Sequence, residues 1–327
     1  MTPRDQPGKL FGKRLLVQAI LCCLVIFWVC CWALVSEPNP PKKILVLFSY
    51  QSVAHSLLEW DKGIRSVLPG TALEPIDFYT EFSDLARFPD KIYQQNIVRF
   101  LQTKYRDTKM DLLIPVGPLA FPFLLEHGGT IFPGVPTVFC AALKEEVLAL
   151  KRSKDFTGVT AWIDVAGTLE AALKMQPQTQ RLAIVGGTSE SDRAFQRLAR
   201  QVLHMYEDTF EIIWLTDLPA DTLLEKLAHL PSQTIVLYLY FLRDSLGNEF
   251  LPREFLMRVA KAANAPVYGL WENLLGHGIV GGHLISFRTQ GRIAGELGRR
   301  VLMGEKPENI PIVYEGTNFY LFDWLEI

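Results

Sequence analysis

Cysteine is scarce outside one short stretch of this sequence. Four of the five cysteines, Cys22, Cys23, Cys30 and Cys31, fall within residues 15–35, and only Cys140 lies beyond them. An intrachain disulfide in the remainder is therefore excluded. Long basic runs are also missing, and the net charge is −2. That argues against nucleic acid, which demands a concentrated basic face. Several catalytic signatures are missing too. No G-x-x-x-x-G-K-[ST] loop occurs, and no G-x-G-x-x-G follows the first apolar run, whose turn reads SYQS. G-x-S-x-G and H-E-x-x-H are likewise absent. His277 and His283 stand six apart across glycines, with no cysteine or aspartate near in sequence. Metal sites need tighter ligand clusters, so no metal and no cofactor are expected.

Hydrophobic length is present in one place. LLVQAILCCLVIFWVCCWALV, residues 15–35, carries no charge. As a helix it would be ~32 Å long, enough to cross the ~30 Å hydrocarbon core of a bilayer. Arg4, Lys9, Lys13 and Arg14 precede it, against one acid, Asp5. The positive-inside rule keeps residues 1–14 in the cytoplasm and sends the rest across. The apolar core of a cleavable signal peptide is shorter, ~7–15 residues, so an uncleaved anchor is expected. Val29 before Cys30 and Leu21 before Cys22 argue against lipid attachment. Residues 36–42 then form a proline-rich, extended tether. The chain beyond residue 36 carries 29 bases and 34 acids, a net charge of −5.

The body alternates strand and helix patterns. KILVLF, LEPIDFY, DLLIPV and VPTVFCA are short apolar runs bounded by turn formers, and helical periodicity separates them. The rhythm restarts with FTGVTAW, RLAIVGG, FEIIWL, TIVLYLY and APVYGL. The expectation is an α/β protein of two doubly wound parallel-sheet lobes behind an N-terminal transmembrane helix. Ligands of such sheets sit beyond the carboxyl ends of the strands. The residues there are Ser49, Tyr50 and Gln51; Gly117 and Pro118; Cys140 and Ala141; Trp162; Gly187, Thr188 and Ser189; Tyr240, Arg243 and Asp244; and Trp271 and Glu272. The set is aromatic, small and hydroxylic, which suits holding a small organic solute rather than transforming it. VGGTSES after a strand reads first as a helix cap, with an anion cradle as the other reading. Trp214 reads as core. Trp162 and Trp271 are candidate ligand faces, and Glu272 a candidate partner for a ligand amine.

The segments TEFSDLARFPD, GVPTVFC, FTGVTAW, NAPVYGLWENLLGHGIVGGHLIS, TQGRIAGELGRRVLMGEKPENIPIV and NFYLFDW, in this order, resemble the ABC-transporter-type substrate-binding proteins of the type I periplasmic fold. The branch most similar serves as an extracytoplasmic sensor module in bacterial histidine kinases and cyclic-nucleotide enzymes. The resemblance covers residues 43–324. It implies two lobes joined by crossing segments, closing on a ligand in the cleft between them. Lobe one is expected over 43–143 plus about 279–305, and lobe two over 144–278 plus about 306–327. WENLLGHG would be the crossover, bending at Gly269, Gly276 and Gly278. IVGGHLIS would return to lobe one, with Gly281 and Gly282 allowing close backbone approach to ligand or sheet. IPIVYEG would return to lobe two. The implied function is a non-enzymatic solute-binding protein on the outer face of the bacterial inner membrane. Its partner would be an ABC permease or a sensor kinase. A two-domain α/β enzyme acting on a nucleotide or sugar phosphate is the alternative that fold alone leaves open.

Overall fold

The structure is a computed structural model that describes residues 40–50, 55–68, 75–150 and 155–327. The expected membrane segment 15–35, tether residues 36–39 and the candidate Gln51 lie outside those residues. No helix among the described residues is long and apolar enough to cross a membrane.

The first sheet is built from β1 (Lys42–Phe48), β2 (Ile76–Phe82), β3 (Leu112–Val116), β4 (Thr137–Leu143) and β5 (Phe156–Ala161). Its order is β2-β1-β3-β4-β5, with every pair parallel. Helices α1 (His55–Val67), α2 (Lys91–Lys104), α3 (Ala120–Ile131) and the short α4 (Lys144–Ala149) connect these strands. β1 and β3 are unalternating apolar runs because helices bury both of their faces. The Asp90 side chain accepts from the Tyr93 amide and so caps the start of α2.

The second sheet holds β6 (Arg181–Gly186), β7 (Glu211–Leu215), β8 (Thr234–Tyr240), β9 (Val267–Tyr268), β10 (Gly281–Ile285) and β11 (Asn318–Phe322). Its order is β11-β10-β9-β8-β6-β7. All pairs are parallel except β10 with β11, so an antiparallel edge departs from the expected all-parallel lobe. Helices α5 (Val165–Met175), α6 (Glu190–Leu203), α7 (Ala220–Ala228) and α8 (Pro252–Ala262) belong to this lobe, and α9 (Phe287–Leu302) follows β10.

Three expectations about chain path need correction. FTGVTAW does not open the second lobe, because β5 pairs with β4 and closes the first sheet. IVGGHLIS does not return to lobe one, because β10 lies beside β9 in sheet two and Gly281 pairs with Tyr268. The stretch from Gly269 to Gly278 is therefore a connection inside lobe two. Gly276 and Gly278 have positive φ for a local turn rather than a hinge. Gly278 packs against α8, where an added Cβ would meet Ala260 Cβ at 2.3 Å. IPIVYEG also stays with lobe one, since Val313 bridges Val159 on β5. Lobe one thus comprises residues 42–161 plus 287–313, and lobe two 165–285 plus 318–327. The crossings fall at 162–164, at Ser286 and at 314–317.

The largest helix–helix contact joins α1 to α9, and glycines make it close. A Cβ on Gly291 would lie 2.2 Å from the Trp60 carbonyl oxygen, and one on Gly63 2.3 Å from that of Arg288. One on Gly295 would lie 2.6 Å from the Ile64 carbonyl oxygen. Backbone cannot retreat the way a side-chain tip can, so Gly291→Ala is expected to cost roughly 1–3 kcal/mol by overpacking. Gly129, within α3, meets nothing within 4 Å. Gly129→Ala should be neutral or gain about 0.5–1 kcal/mol from helix propensity. Urea unfolding of both variants checks this. Equal effects would show that the α1–α9 approach is not tight.

Candidate ligand cleft

The carboxyl ends of both sheets border one cleft of about 280 Å³. Its floor is aromatic. Trp60 comes from α1, Phe287 opens α9, Trp271 follows β9, Tyr240 ends β8, and Phe195 sits on α6. The rings form one chain of contacts. Trp60 meets Phe287 edge-on at 4.6 Å, and Phe287 stacks with Trp271 at 6.0 Å and 8°. Trp271 then meets Phe195 at 5.1 Å and Tyr240 at 5.5 Å. Both indole N–H groups are already used. Trp60 Nε1 donates to Gln290 Oε1 at 2.9 Å, and Trp271 Nε1 donates to the Leu239 carbonyl at 2.8 Å. The buried Gln290 in turn donates to the Thr160 carbonyl at 3.3 Å, which fixes its amide. The two tryptophans therefore offer ring surface and no free donor.

Tyr50 lines the cleft. It follows β1 in lobe one and shares the cleft wall with Ser189, at the start of α6 in lobe two. Burial pushes the Tyr50 phenol up to about 12, with Ser191 opposing and Asp192 adding to the rise. Burial raises the Tyr240 phenol as well. Both are neutral hydroxyls at physiological pH.

The wall from lobe two is organised by Asp192. Ser189 caps α6, and its hydroxyl accepts from the Asp192 amide while the Asp192 carboxylate accepts from the Ser189 amide. The same carboxylate accepts from the Leu242 and Arg243 amides, at 3.1 and 3.3 Å. It thereby holds the loop after β8 and aims Arg243 at the mouth. Asp192 is inaccessible to solvent, and burial pushes its carboxyl up to about 6 against these hydrogen bonds.

Charge is confined to the mouth. Lobe one supplies Asp84 and Arg87, 3.6 Å apart, and lobe two supplies Arg243 and Glu249, 3.2 Å apart. Burial raises the Asp84 carboxyl, Arg87 opposes the rise, and Glu249 from the other lobe adds to it. The two acids thus sense each other across the opening. Among the described residues no histidine or cysteine lines the cleft, and no group of three His, Cys, Asp or Glu side chains is arranged to hold a metal.

Of the residues singled out in the sequence, Tyr50, Pro118, Ala141, Ser189, Tyr240, Arg243 and Trp271 line the cleft. The other described ones do not. Ser49 is buried behind the wall, donating to the Val116 carbonyl and accepting from the Leu119 and Ala120 amides at the start of α3. Gly117 turns beside it with φ +92°. Cys140 is core, and burial raises its thiol. Trp162 lies away from the cleft, under Lys144 at 5.0 Å and edge-on to His283 at 6.1 Å. Thr188 donates to the Asp244 carbonyl at 2.7 Å. Glu272 accepts from the Arg288 amide, and Gly282 is pressed against the Gly269 carbonyl and Thr168, not against a ligand space.

Sequence reasoning missed Trp60, Phe195 and Phe287, whose helical spacing looks like core, and Asp84 and Arg87. The last two had a signal. They follow β2, and the rule of reading beyond each strand end finds them there.

No protein-family model matches the sequence, and no curated protein matches it. Solved structures match over most of its length. The ligand-free, open substrate-binding protein CD0873 from Clostridium difficile, described as having adhesive properties, superposes with TM-score 0.62 at 16% identity, over 87% of this chain and 92% of that one. The ABC domain in complex with L-Trp from Streptococcus pneumonia gives 0.59 at 16%, over 85% and 90%. A conserved domain protein from Vibrio cholerae gives 0.64 at 13%, over 88% and 93%. The fold is that of the type I periplasmic binding proteins. The cleft of this chain lies beyond the carboxyl ends of its strands, where open parallel sheets place ligands.

The Asp192 carboxyl carries a pH signature. Its folded value, about 6, stands above the ordinary 3.8. Folding therefore takes up a proton between these values, and this group's contribution to stability falls as pH rises from about 4 through 6. Asp192→Asn removes that term. The stability of the native protein relative to the variant should decline across the same window in urea titrations at pH 4 to 7. A pH-independent difference would show that Asp192 does not titrate in this range.

Proposed function

We propose that this chain is a solute-binding protein that captures one small organic ligand between its lobes. The carrying observation is the distribution of polarity in the cleft. The floor is a continuous aromatic surface whose indole N–H groups are spent on protein acceptors, while both acids and both arginines stand at the mouth. Such a site favours a ligand with a flat apolar body and a charged or dipolar end. A polyol would leave hydroxyls buried without partners, at a cost of roughly 1–3 kcal/mol each. Among the described residues the cleft has no histidine or cysteine as base or nucleophile, and Ser189 is engaged in capping α6. Binding without chemistry is the reading these residues support. The neighbour in complex with L-Trp and the substrate-binding neighbour support the same class.

The test starts with native mass spectrometry of the full-length protein from a bacterial host, because tight ligands survive purification. Calorimetric titration with L-tryptophan and L-arabinose as probes follows. The aromatic zwitterion should bind and the sugar should not. Tyr50→Ala should weaken binding by roughly 1–3 kcal/mol, about 5- to 150-fold, as for a buried aromatic anchor. A retained polyhydroxylated ligand, or an affinity indifferent to Tyr50, overturns the reading.

We propose further that residues 15–35 anchor the protein in the inner membrane, with the body outside the cytoplasm. There it would serve an ABC permease or a sensor kinase. The length of the apolar run and its flanking bases support this. A reporter fused after Ile327 should be active only if it functions outside the cytoplasm. Cytoplasmic activity refutes the topology.

A further inference from the structure

The chain passes between the lobes three times, at 162–164, at Ser286 and at 314–317, and side chains tie these passages together. Asn318, directly after the third, donates through Nδ2 to the Trp162 carbonyl of the first at 3.0 Å. It also reaches the His283 carbonyl at 3.5 Å, three residues before the second. The Ser286 amide of the second donates to the Thr317 carbonyl of the third at 2.8 Å. Beside them, His283 Nδ1 lies 2.6 Å from the Asp164 carboxylate of the first passage, and Tyr320 stacks on His283 at 4.3 Å. Lys144 of lobe one reaches Glu315 of the third passage at 3.0 Å. Asn318, His283 and Asp164 do not line the cleft.

We propose that Asn318, with the His283–Asp164 pair beside it, clasps the three lobe connections and fixes the relative arrangement of the lobes from outside the ligand site. Lobe rotation must be absorbed as φ/ψ change within a few connecting residues. Bonds that run between connections, or from a connection to the lobe beside it, limit the φ/ψ change those connections can absorb. In the same arrangement Tyr50 of lobe one and Tyr240 of lobe two line one cleft. A mere local cap would bond within one passage, whereas Asn318 bonds out of its own passage. The functional meaning of that arrangement rests on the reading of the cleft as a ligand site. The clasp itself is tested without any ligand.

The experiment uses the full-length protein in detergent and the variant Asn318→Ala. Hydrogen exchange followed by mass spectrometry should show roughly three- to tenfold faster exchange at Ser286 and across 162–165, with the strands of both sheets unchanged. Spin labels introduced by non-cysteine chemistry at the exposed positions 125 (lobe one) and 205 (lobe two) should report a distance distribution shifted to longer values. Asn318→Asp loses the amide donor at nearly constant size, and it should behave the same way should the alanine variant fold poorly. Unchanged exchange at Ser286, or an unchanged interlobe distance, overturns the proposal. Faster exchange spread evenly through both sheets also overturns it, by making Asn318 a general stability residue. A ligand reading that fails in titration leaves the exchange result intact, so the two failures are told apart.

Discussion

The backbone-to-backbone approach of α1 and α9 is the constraint on which the cleft depends. α1 follows β1 of lobe one, whereas α9 is fed directly from β10 of lobe two. Their close crossing at Gly63, Gly291 and Gly295 seats in lobe one a helix whose preceding strand belongs to lobe two. The same crossing places Trp60 against Phe287 and brings Trp60 Nε1 to Gln290. Widening it by the width of a methyl group would separate the two rings that begin the aromatic floor. Packing between two helices thus decides the shape of a site that neither helix would form alone.

Polarity within the cleft follows from how buried polar groups are satisfied. A buried donor without a partner costs about as much as a hydrogen bond is worth. The fold therefore spends the indole N–H groups on Leu239 and Gln290, and the Asp192 carboxylate on three backbone amides. The interior that remains is apolar surface. The four mouth charges escape this rule because they are partly exposed and paired, Asp84 with Arg87 and Arg243 with Glu249. The division between a dry aromatic floor and a charged rim is then a consequence of folding rather than an added feature.

Much of the architecture was legible in the sequence. Short buried strands such as KILVLF and DLLIPV carry no alternation, helices follow at regular spacing, and Asp90 marks a helix start where the cap is found. The chain path between lobes was not legible. FTGVTAW reads equally as the last strand of one sheet or the first of the next, because pairing partners leave no mark on a strand buried on both faces. Glycine content misled as well. Gly276 and Gly278 suggested a hinge, but a positive-φ turn inside one lobe requires the same residue type. Reading beyond the strand ends reaches Tyr50, Ser189, Tyr240 and Trp271, which line the cleft. The rule failed for Trp60, Phe195 and Phe287, since an aromatic on a helix that faces a cleft has the same spacing as one that faces the core. Trp162 failed in the opposite sense. It stands at a strand end, but at the edge of sheet one where the chain leaves the lobe, so it serves the crossing instead of the cleft.

Trp271 shows why site and core merge here. It is almost wholly buried, with rings on three sides and its N–H satisfied, so its truncation would be a core lesion of roughly 3–5 kcal/mol before any ligand is considered. A floor built this way is pre-formed, and little of a ligand's binding energy is needed to order it. The adjustable part of the molecule is then the relative position of the lobes, which Tyr50 touches from within the cleft and the three connections govern from outside. A ligand shifts that position only through its different affinity for the open and closed arrangements. Groups of the two lobes face each other at the mouth of this cleft, where Asp84 of one and Glu249 of the other disfavour each other.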